Sequence, residues 1–269
     1  MKKKIYIAAV ILFALVFAVS AFMLIRYYAG ISKSQAAFDE LAQIKEQAQQ
    51  QAQTDPTAGQ DSDPLMAVVA DPETGEEKLV LAEYAPIYNL NPDTVGWIAI
   101  DGTNINFPVL HKPDVTDYYL YKDFYGKYSN QGAIYIREQC DVFAPSDNVT
   151  IYGHRTNAGT MFAALQGYQK KDFWQEHQMI RFDTLTEHHT YQIFAVFIIA
   201  STEDSDFPYH LFVNEEQPGD MDRFVTQCKG YALYETGVSA GPGDKLITLS
   251  TCVGSRNVDR LVVVAKRIA

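Results

Sequence analysis

The sequence predicts a mostly β domain, a closed or nearly closed barrel with a few inserted helices, preceded by an N-terminal transmembrane helix and a helical stalk. Three observations predict this fold: many short strand-like runs, a few helical patterns in the connections between them, and an uncharged run near the N-terminus. Short strands bounded by turn residues, with helices confined to the connections, favour a barrel. The eight strand-like runs are GWIAI, NINFPVL, GAIYI, NVTIYG, QMIRFDT, HTYQIFAVFIIA, KLITLSTC and RLVVVAKRI.

Residues 5–25 are predicted to anchor the chain in a membrane. They form an uncharged run of 21 residues between lysines at 2–4 and Arg26. A helix of that length spans a hydrocarbon core of ~30 Å. The lysines favour a cytoplasmic N-terminus, residues 1–4, with the remainder exported. A cleaved signal peptide is the alternative, since 19–21 (Val-Ser-Ala) resembles a cleavage site, but the long apolar run favours a retained anchor.

Residues 26–75 are predicted to form a stalk between the membrane and a domain at 76–269. Residues 32–53 are rich in Ala, Gln and Glu and are predicted to be a helix with a thin apolar stripe. Residues 54–64 gather Pro, Gly and Asp, a composition typical of flexible spacers. The alternative is that the helix packs on the domain.

Helices are predicted at three places within the domain. Residues 76–91 fit a short helix that stops at Pro86 or at the Asn-Pro turn after it. Residues 159–169 are predicted to be a helix, and so are 219–234, with Asp220 as a possible N-cap. Between the first two strands, Asp-Gly at 101–102 is a turn dipeptide.

The net charge argues against a nucleic-acid-binding protein, and the cysteine content argues against a disulfide-stabilised fold. The formal net charge is −11, which argues against a nucleic-acid-binding protein because binding needs a basic face. An odd number of scattered cysteines, three in all, does not fit a disulfide framework. Cys228 is predicted to be a buried apolar residue of a helix. The sequence offers no role for Cys140.

A cysteine and an arginine are predicted to meet at one rim of the sheet. Cys252 ends one strand-like run and Arg260 opens the next, with a short loop between them. In an antiparallel pair these positions lie side by side, and a guanidinium near a thiol lowers the thiol pKa and can donate to an oxyanion. His154 also follows a strand directly, after Gly153. The remaining histidines lie in polar or loop contexts and are predicted to be solvated: His111, His177, His188, His189 and His210.

These motifs resemble those of the sortases. The resemblance rests on TLSTC, on an arginine that opens the strand RLVVVAK, and on YGH followed by GTMF. The phrase DFYGKYS and the helical insertion before the last two strands resemble class B in particular. The resemblance covers most of the domain and implies an eight-stranded β-barrel and a cysteine transpeptidase of Gram-positive bacteria.

The resemblance implies a role for each matching residue. Cys252 would be the nucleophile, His154 the general acid/base, and Arg260 the oxyanion or substrate-positioning group, with Arg256 as a rival for that last role. It implies no metal and no cofactor. The residues that it implies for the substrate groove are Leu120, Tyr152, Ser250, Thr251 and Phe207.

The implied reaction is the cleavage of a C-terminal sorting signal, NPxT- or PPxTG-like, after its threonine. A thioester acyl-enzyme would then be resolved by a peptidoglycan precursor or cross-bridge amine, which attaches the surface protein to the cell wall. The chain would work at the cell membrane as a single-pass protein with an extracellular catalytic domain. Its partners would be surface proteins that carry the signal, and no nucleic acid.

Three alternatives to this function remain open. A pilin-polymerising sortase would use a lysine of another subunit as acceptor. A purely hydrolytic cysteine protease would be favoured by a papain-type C-G-S-C-W context, which the sequence lacks. A membrane-tethered binding module would simply bury Cys252. A zinc site is disfavoured because the sequence has no C-x-x-C or H-x-x-x-H pair, and His188 and His189 would point to opposite faces of a strand.

Overall fold

The structure, a computed structural model, describes residues 2–54, 65–200, 205–254 and 258–269. The chain divides into two compact units, Met1–Asp39 and Glu40–Ala269. The first unit lies within one long helix, α1 (Lys2–Thr54). The N-terminal part of α1 contains an apolar segment long enough to cross a membrane. The expected transmembrane segment is therefore helical.

Eight strands of the second unit close into a barrel, as the sequence predicts. The barrel strands are β3 (Thr94–Ala99), β4 (Asn106–Leu110), β5 (Ile134–Ile136), β6 (Asn148–Tyr152), β7 (Met179–Thr184), β8 (Thr190–Ala200), β9 (Leu246–Val253) and β10 (Asp259–Arg267). The order around the barrel is β10-β8-β7-β3-β4-β5-β6-β9. Neighbouring strands are antiparallel except β4–β5 and β6–β9, which are parallel.

Alternation along the strands supplies the core. Residues i and i+2 of a strand face the same side, so apolar residues at alternate positions cover one face. β10 is apolar on both faces, and its residues Leu261 to Ala265 are all buried. Its outer face is covered by α4 (Asp220–Tyr231) and the loops that flank this helix. Short helices fill the other connections: α3 (Lys171–Glu176) and 3-10 turns at Phe162–Gln169 and Tyr209–Leu211.

The helix predicted over 76–91 is only partly correct. Its first half is a strand, β2 (Glu77–Leu81), which pairs antiparallel with β1 (Met66–Ala70) in a separate hairpin. The helix that follows, α2, is Ala85–Leu90, and Pro86 lies in its first turn instead of ending it. Proline is tolerated there because the first turn of a helix needs no backbone donor at that position.

The predicted helix near residue 220 is confirmed as α4, with a different cap. Gly219 is the N-cap, with φ of 90°, and Asp220 is the first helical residue. The Asp220 carboxylate instead accepts hydrogen bonds from the backbone N–H groups of Glu216 and Gln217. Cys228 is fully buried on the inner face of α4, as predicted for an apolar core residue.

The last part of α1 belongs to the second unit. From Glu40 onward the helix falls within that unit, and Leu41 is fully buried. The Lys45 ammonium lies 3.9 Å from a Glu83 carboxylate oxygen and over the ring of Trp97. This arrangement corresponds to the packing alternative left open for the helix. The predicted spacer, 54–64, lies outside the described residues from 55 onward.

Gly96 of β3 tests the packing between β3 and β7. A Cβ atom on Gly96 would lie 2.0 Å from the Asp183 carbonyl oxygen. Gly96→Ala is therefore expected to lower the free energy of unfolding by about 1–3 kcal/mol, the usual cost of overpacking. The measurement is urea-induced unfolding of the full chain in detergent.

Gly230→Ala is the matched control. Gly230 lies in α4 with nothing within 4 Å of an added Cβ atom. Alanine there is expected to leave stability unchanged or to raise it by up to about 1 kcal/mol, because alanine is the better helix former. Equal effects of the two substitutions would contradict the β3–β7 packing.

Candidate active site

Cys252 and Arg260 are direct partners in the sheet. β9 and β10 are antiparallel, and the register pairs Cys252 with Arg260. Side chains of directly opposite residues share a face of the sheet, with Cβ atoms about 4.5–5.5 Å apart. Cys252 is half-buried, so its thiol is reachable from one side. The thiol and the guanidinium therefore lie at the same rim of the barrel.

The end of β9 is held in place by side chains from two other segments. Gln166 Nε2 donates a hydrogen bond to the Cys252 carbonyl at 3.1 Å. One residue beyond β9, the Gly254 carbonyl accepts a hydrogen bond from Arg155 at 3.1 Å. These bonds satisfy carbonyl groups at the end of β9, where the hydrogen bonds between strands stop. They hold the backbone at Cys252 and at Gly254 in place.

His154 reaches the same rim from β6. β6 and β9 are parallel, and Tyr152 pairs with Ser250. His154 and Cys252 each lie two residues further along their own segments, so the parallel register brings them to the same level. The Gly153 N–H donates to the Ser250 carbonyl at 3.3 Å and continues the ladder toward His154.

A carbonyl group fixes the His154 imidazole. His154 Nε2 lies 2.7 Å from the Leu120 carbonyl oxygen, and the ring packs against that of Tyr121 with centroids 5.6 Å apart. A carbonyl oxygen only accepts, so Nε2 carries the hydrogen in this arrangement. In a neutral imidazole the other nitrogen, Nδ1, is then the one that can take up a proton.

All three side chains line one cleft of about 490 Å³. Its volume is within the range of ligand pockets. Four of the five residues expected at a substrate groove also line it: Leu120, Tyr152, Ser250 and Thr251. The Ser250 hydroxyl lies 2.7 Å from the Tyr209 hydroxyl. Thr251 is 2% exposed, and its hydroxyl has no hydrogen-bond partner within the described part of the chain.

Phe207 lies elsewhere, which corrects the expectation that it lines the groove. It is 3% exposed and stacks on the ring of Tyr231, with centroids 5.7 Å apart. It belongs to the hydrophobic cluster between α4 and the outer face of β8 and β10. Burial of its apolar ring in that cluster explains the difference. Arg256, the rival of Arg260, lies outside the described residues.

Among the cleft residues that sequence reasoning missed are Tyr209, His210 and Arg137. The Arg137 guanidinium donates to the His210 carbonyl, which ties the 3-10 turn at Tyr209–Leu211 to β5. Burial raises the pKa of the Tyr209 phenol and lowers that of the His210 imidazole. His210 was expected to be solvated, and so was His189, which is 9% exposed. No local sequence signal marks a loop that folds back over a sheet.

The other two cysteines are buried away from the cleft. The Cys140 thiol, 2% exposed, donates to the Asn148 carbonyl at 3.6 Å. Burial raises the pKa of Cys140 to about 11 and that of Cys228 well above its ordinary value. Buried neutral thiols are poor nucleophiles. Cys252 is thus the one cysteine of the three that lines the cleft.

The chain matches a known family and two curated relatives. The model of the sortase domain matches residues 98–268. Sortase B of Staphylococcus aureus is 30% identical over 191 residues, which cover 70% of this chain and 76% of the relative. Sortase B of Listeria monocytogenes is 29% identical over 188 residues, 69% of this chain and 74% of the relative.

A solved structure shares the fold. The complex of Staphylococcus aureus sortase B with a substrate superposes with a TM-score of 0.71 at 25% identity, covering 88% of this chain and 97% of that chain. The family match, the curated relatives and the eight-stranded barrel agree with the motifs TLSTC and YGH. The chain therefore belongs to the sortase family and is a class B sortase, a cysteine transpeptidase.

Proposed function

We propose that this sortase cleaves an NPxT- or PPxTG-like sorting signal after its threonine and joins the released acyl group to a peptidoglycan amine. Cys252 is the nucleophile, His154 the general acid and base, and Arg260 the group that stabilises the oxyanion. The observation that carries the proposal is that these three side chains line one cleft. Cysteine, histidine and a cationic donor are the groups that acyl transfer through a thioester needs.

In the first half of the reaction, the Cys252 thiol gives its proton to His154 Nδ1, and the sulfur attacks the carbonyl carbon of the signal threonine. A C–S bond forms, and the carbonyl electrons become an oxyanion. Arg260, the register partner of Cys252, can donate to that oxygen from the same face of the sheet. His154 gives a proton to the amide nitrogen, the C–N bond breaks, and the thioester remains on the enzyme.

In the second half, a primary amine attacks the thioester carbonyl. His154 accepts a proton from the amine, the C–S bond breaks, a new amide forms, and His154 returns the proton to the Cys252 sulfur. The thioester preserves the energy of the original amide, so no nucleotide is needed. Water is the competing acceptor and would give slow hydrolysis.

The signal peptide is proposed to lie over Tyr152 and Ser250, with Leu120 and Thr251 beside it. An extended peptide presents N–H and C=O groups on both sides, and hydroxyl groups can donate to or accept from them. The Ser250 hydroxyl shares the Cys252 face of β9 and lies 2.7 Å from the Tyr209 hydroxyl, so this hydroxyl pair is proposed to meet the peptide backbone.

The membrane topology is part of the proposal. Residues 5–25 would cross the membrane, with residues 1–4 in the cytoplasm because their lysines favour that side. Residues 26–75 would connect the anchor to the catalytic domain, 76–269, on the outer face. A sorting signal and a cell-wall amine both meet the enzyme on that face.

Mass spectrometry of the full chain in detergent with candidate sorting peptides tests the proposal. An acyl adduct on Cys252 is expected, together with transfer to an added amine. Cys252→Ala is expected to lower the rate at least about 10³-fold, because removal of a nucleophile leaves only binding and oxyanion stabilisation. Cys140→Ala, at a buried thiol outside the cleft, is the control and is expected to form the adduct.

The acceptor is resolved in the same experiment. An oligoglycine-type amine and a peptide carrying a pilin lysine are offered separately, and the cell-wall proposal expects the first to be joined faster. Preference for the lysine would favour the pilin-polymerising alternative. Cleavage that persists in Cys252→Ala, or release of free acid only, would contradict transpeptidation by Cys252.

Gly132 tests the role of the Leu120 carbonyl in holding His154. A Cβ atom on Gly132 would lie 2.4 Å from that carbonyl oxygen and 3.1 Å from His154 Cδ2. Gly132→Ala is expected to lower kcat/KM by about 10–100-fold, because small displacements of a catalytic group are costly. The measurement is the steady-state transpeptidation rate.

Gly126→Ala is the matched control, since both glycines have positive φ, 74° for Gly126 and 59° for Gly132. An added Cβ atom on Gly126 meets nothing within 4 Å, so only the backbone strain is shared. Gly126→Ala is expected to keep kcat/KM within about threefold of the parent. An equal loss in both variants would show that strain, and not the His154 contact, lowers the rate.

A further inference from the structure

Three potential metal ligands that are distant in sequence converge at the end of the β7–β8 hairpin. Glu83 follows β2, Asp183 lies in β7, and His188 lies in the turn before β8. Each offers one ligand atom, and these atoms all lie within 4.8 Å of one another. No local spacing in the sequence reveals this group, because its members come from two segments a hundred residues apart.

The fold holds these segments together independently of any ion. The Leu81 N–H donates to the Leu185 carbonyl at 2.7 Å, which joins the end of β2 to the β7–β8 turn. Asp183 is fixed by hydrogen bonds from the Tyr84 hydroxyl at 2.7 Å and the His189 N–H at 3.1 Å. His188 Nδ1 lies 3.1 Å from an Asp183 oxygen. The ligand group is therefore built on rigid elements.

Glu83 is the buried member of the group. Its residue is 5% exposed, and the Lys45 ammonium lies 3.9 Å from one of its carboxylate oxygens. The Tyr84 hydroxyl, which donates to Asp183, also lies beside the Glu83 carboxylate. Two carboxylates this close in a mostly buried site repel each other, and a divalent cation between them would offset that repulsion.

We propose that Glu83, Asp183 and His188 bind a divalent transition metal, with Zn²⁺ the preferred ion. One imidazole nitrogen and two carboxylate oxygens are typical zinc donors, whereas Ca²⁺ and Mg²⁺ prefer shells of six or more oxygens. Ligand atoms around tetrahedral zinc are about 3.4 Å apart, so the group must contract by roughly an ångström. His188 can supply that movement because its side chain is 56% exposed, and water can take the fourth position.

The proposed metal site is separate from the cleft. At the start of β10, Arg260 pairs with Cys252 of β9. At the other end of β10, Arg267 pairs with Tyr191 of β8. The zinc ligands lie near Tyr191, so the two sites are at opposite ends of the barrel. The ion would join the segment after β2 to the β7–β8 hairpin and stabilise the fold without touching the reacting atoms.

Isothermal titration with ZnCl₂ tests this proposal on the full chain in detergent. The parent carries Cys252→Ala, so that the thiol in the cleft cannot take the metal. One zinc per chain is expected, with a rise in Tm of about 5 °C or more at a hundredfold excess over Kd. His188→Ala is expected to weaken binding at least tenfold and to remove the rise in Tm.

His177→Ala is the matched control, because it removes a partly exposed imidazole that lies outside the group and is expected to bind zinc like the parent. Glu83→Gln, which keeps the shape of the side chain, is expected to weaken binding as His188→Ala does. The absence of binding in the parent, or equal affinity in the His188→Ala and His177→Ala variants, would overturn the proposal.

Discussion

The antiparallel register between β9 and β10 is the constraint on which the cleft depends. It pairs Cys252 with Arg260, and the parallel register of β6 on β9 brings His154 to the same level. Because side chains alternate along a strand, a slip of one residue would move the thiol to the opposite face. Hydrogen bonds from Gln166 and Arg155 at the end of β9 oppose such a slip.

The rest of the cleft is built by segments that fold back over this frame. The Leu120 carbonyl orients the His154 ring, and the Tyr209 hydroxyl joins the loop before α4 to Ser250. Neither contact is within a strand ladder. The barrel thus sets where the reacting groups stand, while the loops that fold back over it set their orientation. This division explains how one barrel can carry different specificities, because loops can change without moving the strands.

Local patterns predict most of the fold and the centre of the site, whereas contacts between distant segments remain hidden in the sequence. The eight barrel strands and α4 could be predicted because periodicity and turn residues are local properties. The meeting of Cys252 and Arg260 could also be predicted, since consecutive antiparallel strands have one short loop between them. The strand Glu77–Leu81, the burial of Phe207 and the entry of His210 into the cleft depend on tertiary packing, which no single stretch encodes.

A cross-linking measurement tests the register most directly. Opposite residues of an antiparallel pair have Cα atoms about 4.5–5.5 Å apart, within the range that a disulfide can bridge. The account predicts that Arg260→Cys forms a disulfide with Cys252 on mild oxidation, seen by mass spectrometry of the denatured, alkylated chain. Asp259→Cys, opposite Val253 and on the other face, is predicted to leave Cys252 free. A disulfide to Cys252 in Asp259→Cys but not in Arg260→Cys would contradict the register and the site built on it.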